Sequence, residues 1–464
     1  MKLPKTKKKI NFIIFLNLYF ISFIFILFSI LLYIFIKNKE LSYFYVYYPY
    51  FFIIFLLLTS ILIFFFLKKK HKIIFFLIFN SFLFSLYSVE LIIYYFNKDY
   101  NLSETNLDFQ RVKIASNLGI FFDKRSKKDF FIDFKEKNKS TSVSLAISTN
   151  FFFNTHQEIF PLAGGLSDHL LIHCNENGNY TYYKSDRFGF NNLDYIWDLP
   201  RVGFLLVGDS FTQGACVNTN ENEGFTGIFK KNTGQKVLNL GVGGSGLLTY
   251  YARIKEYTSS KIIDNLIIFF YEGDMYFDLI KEFKDVRLKN YVDVNYSQGL
   301  INNQKYSDLI ISNLIDEQLN LEKKNAKINN SYNFLSFVKL QKLRSFMRLF
   351  FPQYDRKKSM FISRDLLKNI RFLQPNARLF IICLPSIERY QARSIFLPKY
   401  KFNECSDISS LAKDFNYTVV DIHEELFKFH GDPKSFYPFG MHGHYNPQGY
   451  EFISKFLINK FFSE

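Results

Sequence analysis

The chain has 464 residues, 59 of them phenylalanine, an aromatic content of 20% and a formal charge of +16. Eleven lysines against two glutamates precede residue 98, so much of the positive balance flanks apolar runs and bears on membrane orientation; no basic-aromatic groove or nucleic-acid motif is present. Four cysteines, Cys174, Cys216, Cys383 and Cys405, are too scattered for a zinc site and too few for a disulfide scaffold.

Residues 10–36, 43–67 and 73–96 are each apolar over more than about 20 residues, long enough to cross a bilayer as helices. They predict three transmembrane helices in a membrane region spanning 1–97. No short apolar core with a small-residue cleavage site precedes the second run, which argues against a signal peptide. Lysines 2 to 9 and Lys68-Lys69-Lys70-His71-Lys72 mark the inside, whereas Lys37 to Glu40 is short and weakly charged. Three crossings from an inside N-terminus place residue 98 onward outside. Tyr43, Tyr45, Tyr47, Tyr48 and Tyr50 form an aromatic belt at the outer end of the second span. Glu90, the one carboxylate within a span, is a candidate for a transport role, although it lies near the helix end and within reach of headgroup water.

Residues 98–180 form a polar juxtamembrane and lead-in segment, in which Lys124-Arg125-Ser126-Lys127-Lys128 reads as a solvated face. An extracytoplasmic domain permits one disulfide, Cys174 with Cys216 being the first choice; buried free thiols are the alternative, and Cys383 in the apolar run Leu379 to Leu384 reads as core. Thr181-Tyr182-Tyr183-Lys184-Ser185-Asp186-Arg187-Phe188-Gly189-Phe190-Asn191-Asn192 is expected to be a structural turn packed on the sheet.

Phe204 to Val207 reads as a buried strand that Gly208 ends at a turn, leaving Ser210 at its carboxyl end, where open α/β sheets place reactive groups. Further strands are expected near 237, 266, 378 and 417, separated by helix-length connections, which describes a doubly wound parallel sheet. Tyr276 to about Ser359 is an insertion with helical texture. Within it Phe334, Leu335, Val338, Leu343, Phe346, Met347 and Phe350 recur at helical spacing, predicting a helix that packs onto its own domain, with a membrane surface or a cleft wall as alternatives. A strand-linking helix is expected over Ser406 to Phe415, and Asn446-Pro447-Gln448-Gly449-Tyr450 turns into a final helix, Glu451 to Phe462.

Four stretches in order carry a resemblance. Gly208-Asp209-Ser210, Asn239 to Gly246, Glu272-Gly273-Asp274 and Met441-His442-Gly443-His444 resemble the sequence blocks of the SGNH hydrolases, the GDSL-type esterases and lipases. The segment 181–192 is similar to one found ahead of the first block in a subgroup from bacterial cell-surface gene clusters. The resemblance covers roughly 181–464, with the insertion at about 276–359 outside it, and implies a three-layer α/β/α sandwich with a parallel sheet. It implies Ser210 as nucleophile, His444 as general base, and an oxyanion hole from the backbone N–H groups of Ser210 and Gly244 with a side chain from the third block.

Two positions depart from the family. Asp274 stands where an asparagine donor is expected, and a carboxylate donates only when protonated. His442 stands where an aspartate would orient the base; Asp432 or Glu272 is the substitute acid, or the site is a Ser-His dyad. Other readings of the same residues are Ser210 as a helix cap, Gly241 to Gly246 as a phosphate loop without its Gly-Lys-Ser/Thr, and His442 with His444 as metal ligands lacking a third. No metal or cofactor is expected. The function these residues imply is a membrane-anchored extracytoplasmic serine esterase acting on acyl, typically O-acetyl, esters of a glycan or lipid-linked sugar. The alternatives are an O-acyltransferase on the same substrates, or a silent glycan-binding or assembly protein.

Overall fold

The computed structural model describes residues 5–37, 44–96, 104–147, 157–219, 222–325, 334–348, 355–390 and 404–462. They fall into two compact units, Met1–Tyr100 with Ser331–Gln353, and Asn101–Asn330 with Tyr354–Glu464.

In the first unit, α1 (Lys5–Lys37), α2 (Phe44–Phe66) and α3 (Lys69–Phe96) follow one another. Neither α1 nor α3 contains glycine or proline, so nothing interrupts the backbone hydrogen bonding that a lipid environment would demand. Among the described residues two helices, not three, are long and apolar enough to cross a bilayer, at Phe12–Ser29 and Lys69–Tyr95. The described side of α2 contributes only the shorter apolar run Ile54–Phe66. Of the three expected spans, two therefore stand among the described residues. Phe20 packs against Phe64 and Phe79, with ring centroids 4.2 and 5.2 Å away. Tyr19 donates to Asn80 (2.9 Å) and Lys72 to Asn17 (3.2 Å), joining α1 and α3 through polar contacts.

The amphipathic part of the insertion is two helices, Phe334–Val338 and Gln341–Arg348, and it belongs to this first unit. That corrects the expectation that it packs on its own domain. Leu340, with φ of 49°, breaks the helix into two. Glu90 is fully buried and accepts from the N–H groups of Lys342 (2.9 Å) and Leu343 (2.6 Å), in the first turn of the second helix, where the N–H groups lie beyond the reach of the helix's own carbonyls. Tyr87 donates to the Val338 carbonyl at 3.2 Å. A capping role therefore accounts for the carboxylate within α3.

The second unit opens with α4 (Glu104–Asn117), α5 (Lys127–Lys137) and a small sheet of β1 (Thr141–Val143), β2 (Leu170–Ile172) and β3 (Tyr182–Lys184). β1 and β2 run parallel; β2 and β3 are antiparallel. The main sheet follows as β4 (Arg201–Gly208), β5 (Val237–Asn239), β6 (Ile262–Tyr271), β7 (Arg378–Leu384) and β8 (Tyr417–Asp421), all parallel, in the spatial order β5-β4-β6-β7-β8. Strand order reverses at β4, so β4 and β6 flank a topological switch point at their carboxyl ends.

Alternation along the strands decides the layers. Leu205 and Val207 of β4, with Leu266, Ile268, Phe270, Leu379 and Ile381, face one core shared with α8 (Leu247–Tyr257), α9 (Gln304–Asn325), α10 (Arg356–Leu373) and α11 (Glu404–Ala412). Phe204 and Leu206, with Ile267, Phe269, Phe380 and Ile382, face a second core shared with α7 (Phe225–Thr233) and α12 (Pro447–Phe461). Helices on both faces of a parallel sheet make the three-layer arrangement. Cys383 is indeed in the core, but it is bonded to Cys405 rather than free, and Cys174 is bonded to Cys216.

Candidate active site

Ser210 begins α6 (Ser210–Gln213), directly after β4, at the switch point. Asp209 caps this helix, accepting from the Phe211 N–H at 2.9 Å, and Gly214 closes it with φ of 81°. Gly208 makes the tight turn possible: a Cβ there would lie 2.6 Å from the Phe269 carbonyl oxygen and closer still to the Thr212 hydroxyl. Ser210 is therefore the first residue of a helix, and its N–H is one that no turn of that helix can satisfy.

His444 enters from the loop before α12. Asn446 caps that helix through the Gly449 N–H (2.9 Å), and Pro447 occupies its first position. Tyr445 donates to the Pro385 carbonyl (2.8 Å) and Tyr450 to the Phe211 carbonyl (3.0 Å), which lock the loop onto the ends of β7 and α6. The imidazole Nε2 is 2.8 Å from Ser210 Oγ. Its ring packs 4.9 Å from Phe211, and 23% of the side chain stays exposed, enough for a substrate to approach.

The acid that faces this histidine is Glu176, which sequence reasoning did not single out. Its Oε2 lies 3.2 Å from His444 Nδ1 and accepts from the His444 N–H at 2.7 Å. Asp432 is elsewhere: it is exposed and caps the short turn Pro433–Phe436 through the Lys434 N–H (3.2 Å). Glu272 is occupied by Arg389 and by the Ser386 N–H (2.9 Å). His442, in the position of the family's aspartate, pairs with Glu388 at 3.3 Å. Both substitute acids are thereby replaced by one from the turn between β2 and β3, outside the main sheet.

Arg111 on α4 supports Glu176. Its Nη2 is 3.4 Å from Glu176 Oε1 and donates to the His442 carbonyl at 2.6 Å. Burial opposes ionisation of Glu176, yet His444 and Arg111 hold its carboxyl down at about 2. Burial also pulls the His444 pKa down, but the charge and hydrogen bond of Glu176 and the charge of Asp209 outweigh it, so the net direction is up.

Opposite Ser210 runs the loop after β5. Gly244 adopts φ of 68°, and the neighbouring Gly243 backbone lies close enough that a Cβ on it would be 3.5 Å from Ser210 Cβ. Gln213 fixes this loop to α6: its Oε1 accepts from the Gly243 N–H (2.9 Å) while its Nε2 donates to Tyr183 (3.0 Å). Among the described residues the N–H groups of Ser210 and Gly244 meet no acceptor. Arg253, fully buried on α8, donates to the carbonyls of Gly208 (3.1 Å), Leu240 (3.0 Å) and Leu162 (3.1 Å), tying the ends of β4 and β5 together from beneath.

Segment 181–192 is an ordering device for the same loop. Asp186 accepts from the N–H groups of Phe188 and Phe190 and from Asn192 and Trp197, and Asn192 both donates to and accepts from the Asn239 backbone. Asn239 in turn accepts from the Gly241 N–H at 2.7 Å.

Asp274 is buried at the end of β6, where its Oδ2 accepts from Tyr250 (2.7 Å) and from the Tyr271 N–H (2.9 Å). Burial first, then the nearby charges of Asp209 and Asp278, push its pKa well up. It makes no hydrogen bond with Ser210 or His444 among the described residues. Asp209 is raised to about 6, by burial first, and its Oδ2 is 3.4 Å from Ser210 Oγ, a longer contact than the one to His444.

No protein-family model matches the chain, and no curated protein does. Solved structures do match: one is 13% identical, covering 57% of this chain and 98% of its own, with a TM-score of 0.29. Another, a protein assigned to the G-D-S-L lipolytic family from Desulfitobacterium hafniense DCB-2, is 14% identical, covering 56% of this chain and 99% of its own, with a TM-score of 0.28.

Proposed function

We infer that this chain is a serine hydrolase of acyl esters, anchored in a membrane by its N-terminal helices. The observation that carries the reading is that the His444 imidazole meets Ser210 Oγ at Nε2 and the Glu176 carboxylate at Nδ1, at 2.8 and 3.2 Å. A serine hydroxyl needs a base in hydrogen-bond reach, and a base works best when a third group holds its ring and stabilises its charged form. Ser210 attacks the acyl carbonyl and its proton passes to His444 Nε2, the nearer acceptor. Negative charge then develops on the carbonyl oxygen, and the N–H groups of Ser210 and Gly244 are the donors for it. His444 returns the proton to the leaving alcohol, giving an acyl-serine that water hydrolyses. A sugar hydroxyl in place of water would make the same site an O-acyltransferase.

Asp274 in its neutral form adds no charge against an oxyanion, so the departure at this position is compatible with catalysis. The expected substrates are O-acyl esters, acetyl above all, on a carbohydrate or lipid-linked glycan outside the cytoplasm. That choice rests on the lysine-flanked orientation of the N-terminal segment and on the family resemblance. A fluorophosphonate probe should label the protein, and Ser210→Ala should abolish labelling together with release of p-nitrophenol from p-nitrophenyl acetate. Equal labelling of the variant would remove Ser210 as the nucleophile.

A further inference from the structure

Of the three groups in the site, the acid has the weakest claim on the main sheet. Ser210 is fixed by β4 and His444 by α12, whereas Glu176 lies in the turn joining β2 to β3 of the small sheet. What joins that turn to the nucleophile's loop is covalent. Cys174, two residues before Glu176, is bonded to Cys216, six residues after Ser210, with the two Cα atoms 5.0 Å apart. Asn177, on the other side of Glu176, donates to the Cys216 carbonyl at 3.0 Å. Both flanks of the acid are thus tied to the same residue.

The bond also touches the base. Cys216 Sγ is 3.6 Å from His444 Nδ1, the ring nitrogen that faces Glu176, and so covers that contact from one side. Cys216 is itself held at φ of 60°, a left-handed conformation that residues with a side chain rarely adopt, and it is almost completely buried. Cys174 is half-buried, so a small thiol can approach the bond from its side.

The geometry points to the Cys174–Cys216 disulfide as a positioning pair that aligns Glu176 with His444, making the proposed site competent only in the oxidised protein. This rests on the reading of Ser210 and His444 as nucleophile and base. Reduction by a dithiol adds two electrons and two protons across the S–S bond, giving two cysteine thiols and leaving the reagent as its cyclic disulfide. The turn then has no covalent link to the site and is held to it by non-covalent contacts, among them the Arg111 pair, the His444 N–H and Asn177, with Gln213 bonded to Tyr183 of β3. The groups facing His444 are Glu176, Asp209 and Arg111, with His173 nearby. Glu176 and His173 both lie in the tethered turn beside Cys174; burial pushes His173 down to about 3 and so keeps it uncharged, and the withdrawal of the Glu176 carboxylate is what lowers the imidazole pKa. A misplacement of the order of 1 Å can cost about 100-fold in rate.

The test uses the full-length protein in detergent, oxidised and after dithiothreitol, beside Cys174→Ser/Cys216→Ser, with alkylation mapping which bond has opened. The His444 pKa is followed by NMR titration, and the rate of fluorophosphonate labelling is measured across pH. On opening of Cys174–Cys216 the His444 pKa should fall and labelling should slow by up to about 100-fold, its acid limb moving to lower pH. In a Glu176→Gln background, opening the bond should change neither. An unchanged His444 pKa and labelling rate in protein whose Cys174–Cys216 bond is fully open would overturn the proposal. Ser210-independent labelling would instead overturn the esterase reading, while the NMR comparison still decides the positioning claim.

Discussion

At the scale of single residues, the role proposed for His444 sets the expected pH behaviour. In that role the neutral imidazole is the base, and Glu176 and Asp209 together lift its pKa above the ordinary 6.5 against the pull of burial. Acidification through that raised value protonates the base, so kcat/KM should fall on the acid side from a higher pH than an unperturbed histidine would give. Glu176→Gln removes the carboxylate charge that most favours the protonated ring. Burial and Arg111 then dominate, the acid limb should move to lower pH, and the rate above it should drop by up to about 10,000-fold. Asp432→Asn should alter neither, and a pH profile of ester hydrolysis separates the two variants. The contrast shows why the acid was hidden. Ser210 and His444 are announced by a strand ending in Gly-Asp-Ser and by a cap-and-proline helix start, both local patterns. Glu176 has no local signature: it precedes the first block, and only its neighbour Cys174, whose partner lies beyond Ser210, hinted that the two segments meet.

Among elements, the site depends on the ends of β4 and β5 being held level. Continuous apolar runs make β4, β6 and β7 legible, since apolar residues occupy both faces and Gly208 and Pro385 punctuate the ends of β4 and β7. The supports beneath those ends are not legible in this way, because Arg253 and Gln213 act across distance in the chain. Arg253→Met would strip charged donors from three buried carbonyls, each worth on the order of 1.5 kcal/mol or more. The expected outcome is a loss of roughly 4 kcal/mol in unfolding free energy, read from denaturant titration of the detergent-solubilised protein. The amphipathic segment teaches the opposite lesson. Its helical spacing is plain, but periodicity says only that one face is apolar, not which surface takes it. Glu90, at first sight an isolated charge in a span, supplies the missing information by capping Gln341–Arg348.

For the whole molecule, the order in which the chain visits its two units matters. It passes from the first to the second after residue 100, returns for Ser331–Gln353, and leaves again. The returning segment is held on α3 by Glu90 and Tyr87. A protease site engineered into residues 97–103 should therefore be cut without freeing the fragment that begins beyond it, which should still sediment with membranes. Deleting 331–353 in the same background should let that fragment appear in the soluble fraction after cleavage. On the proposed reading, resistance to shedding is a property of the chain doubling back, because a single cut ahead of residue 104 leaves the later fragment moored through 331–353.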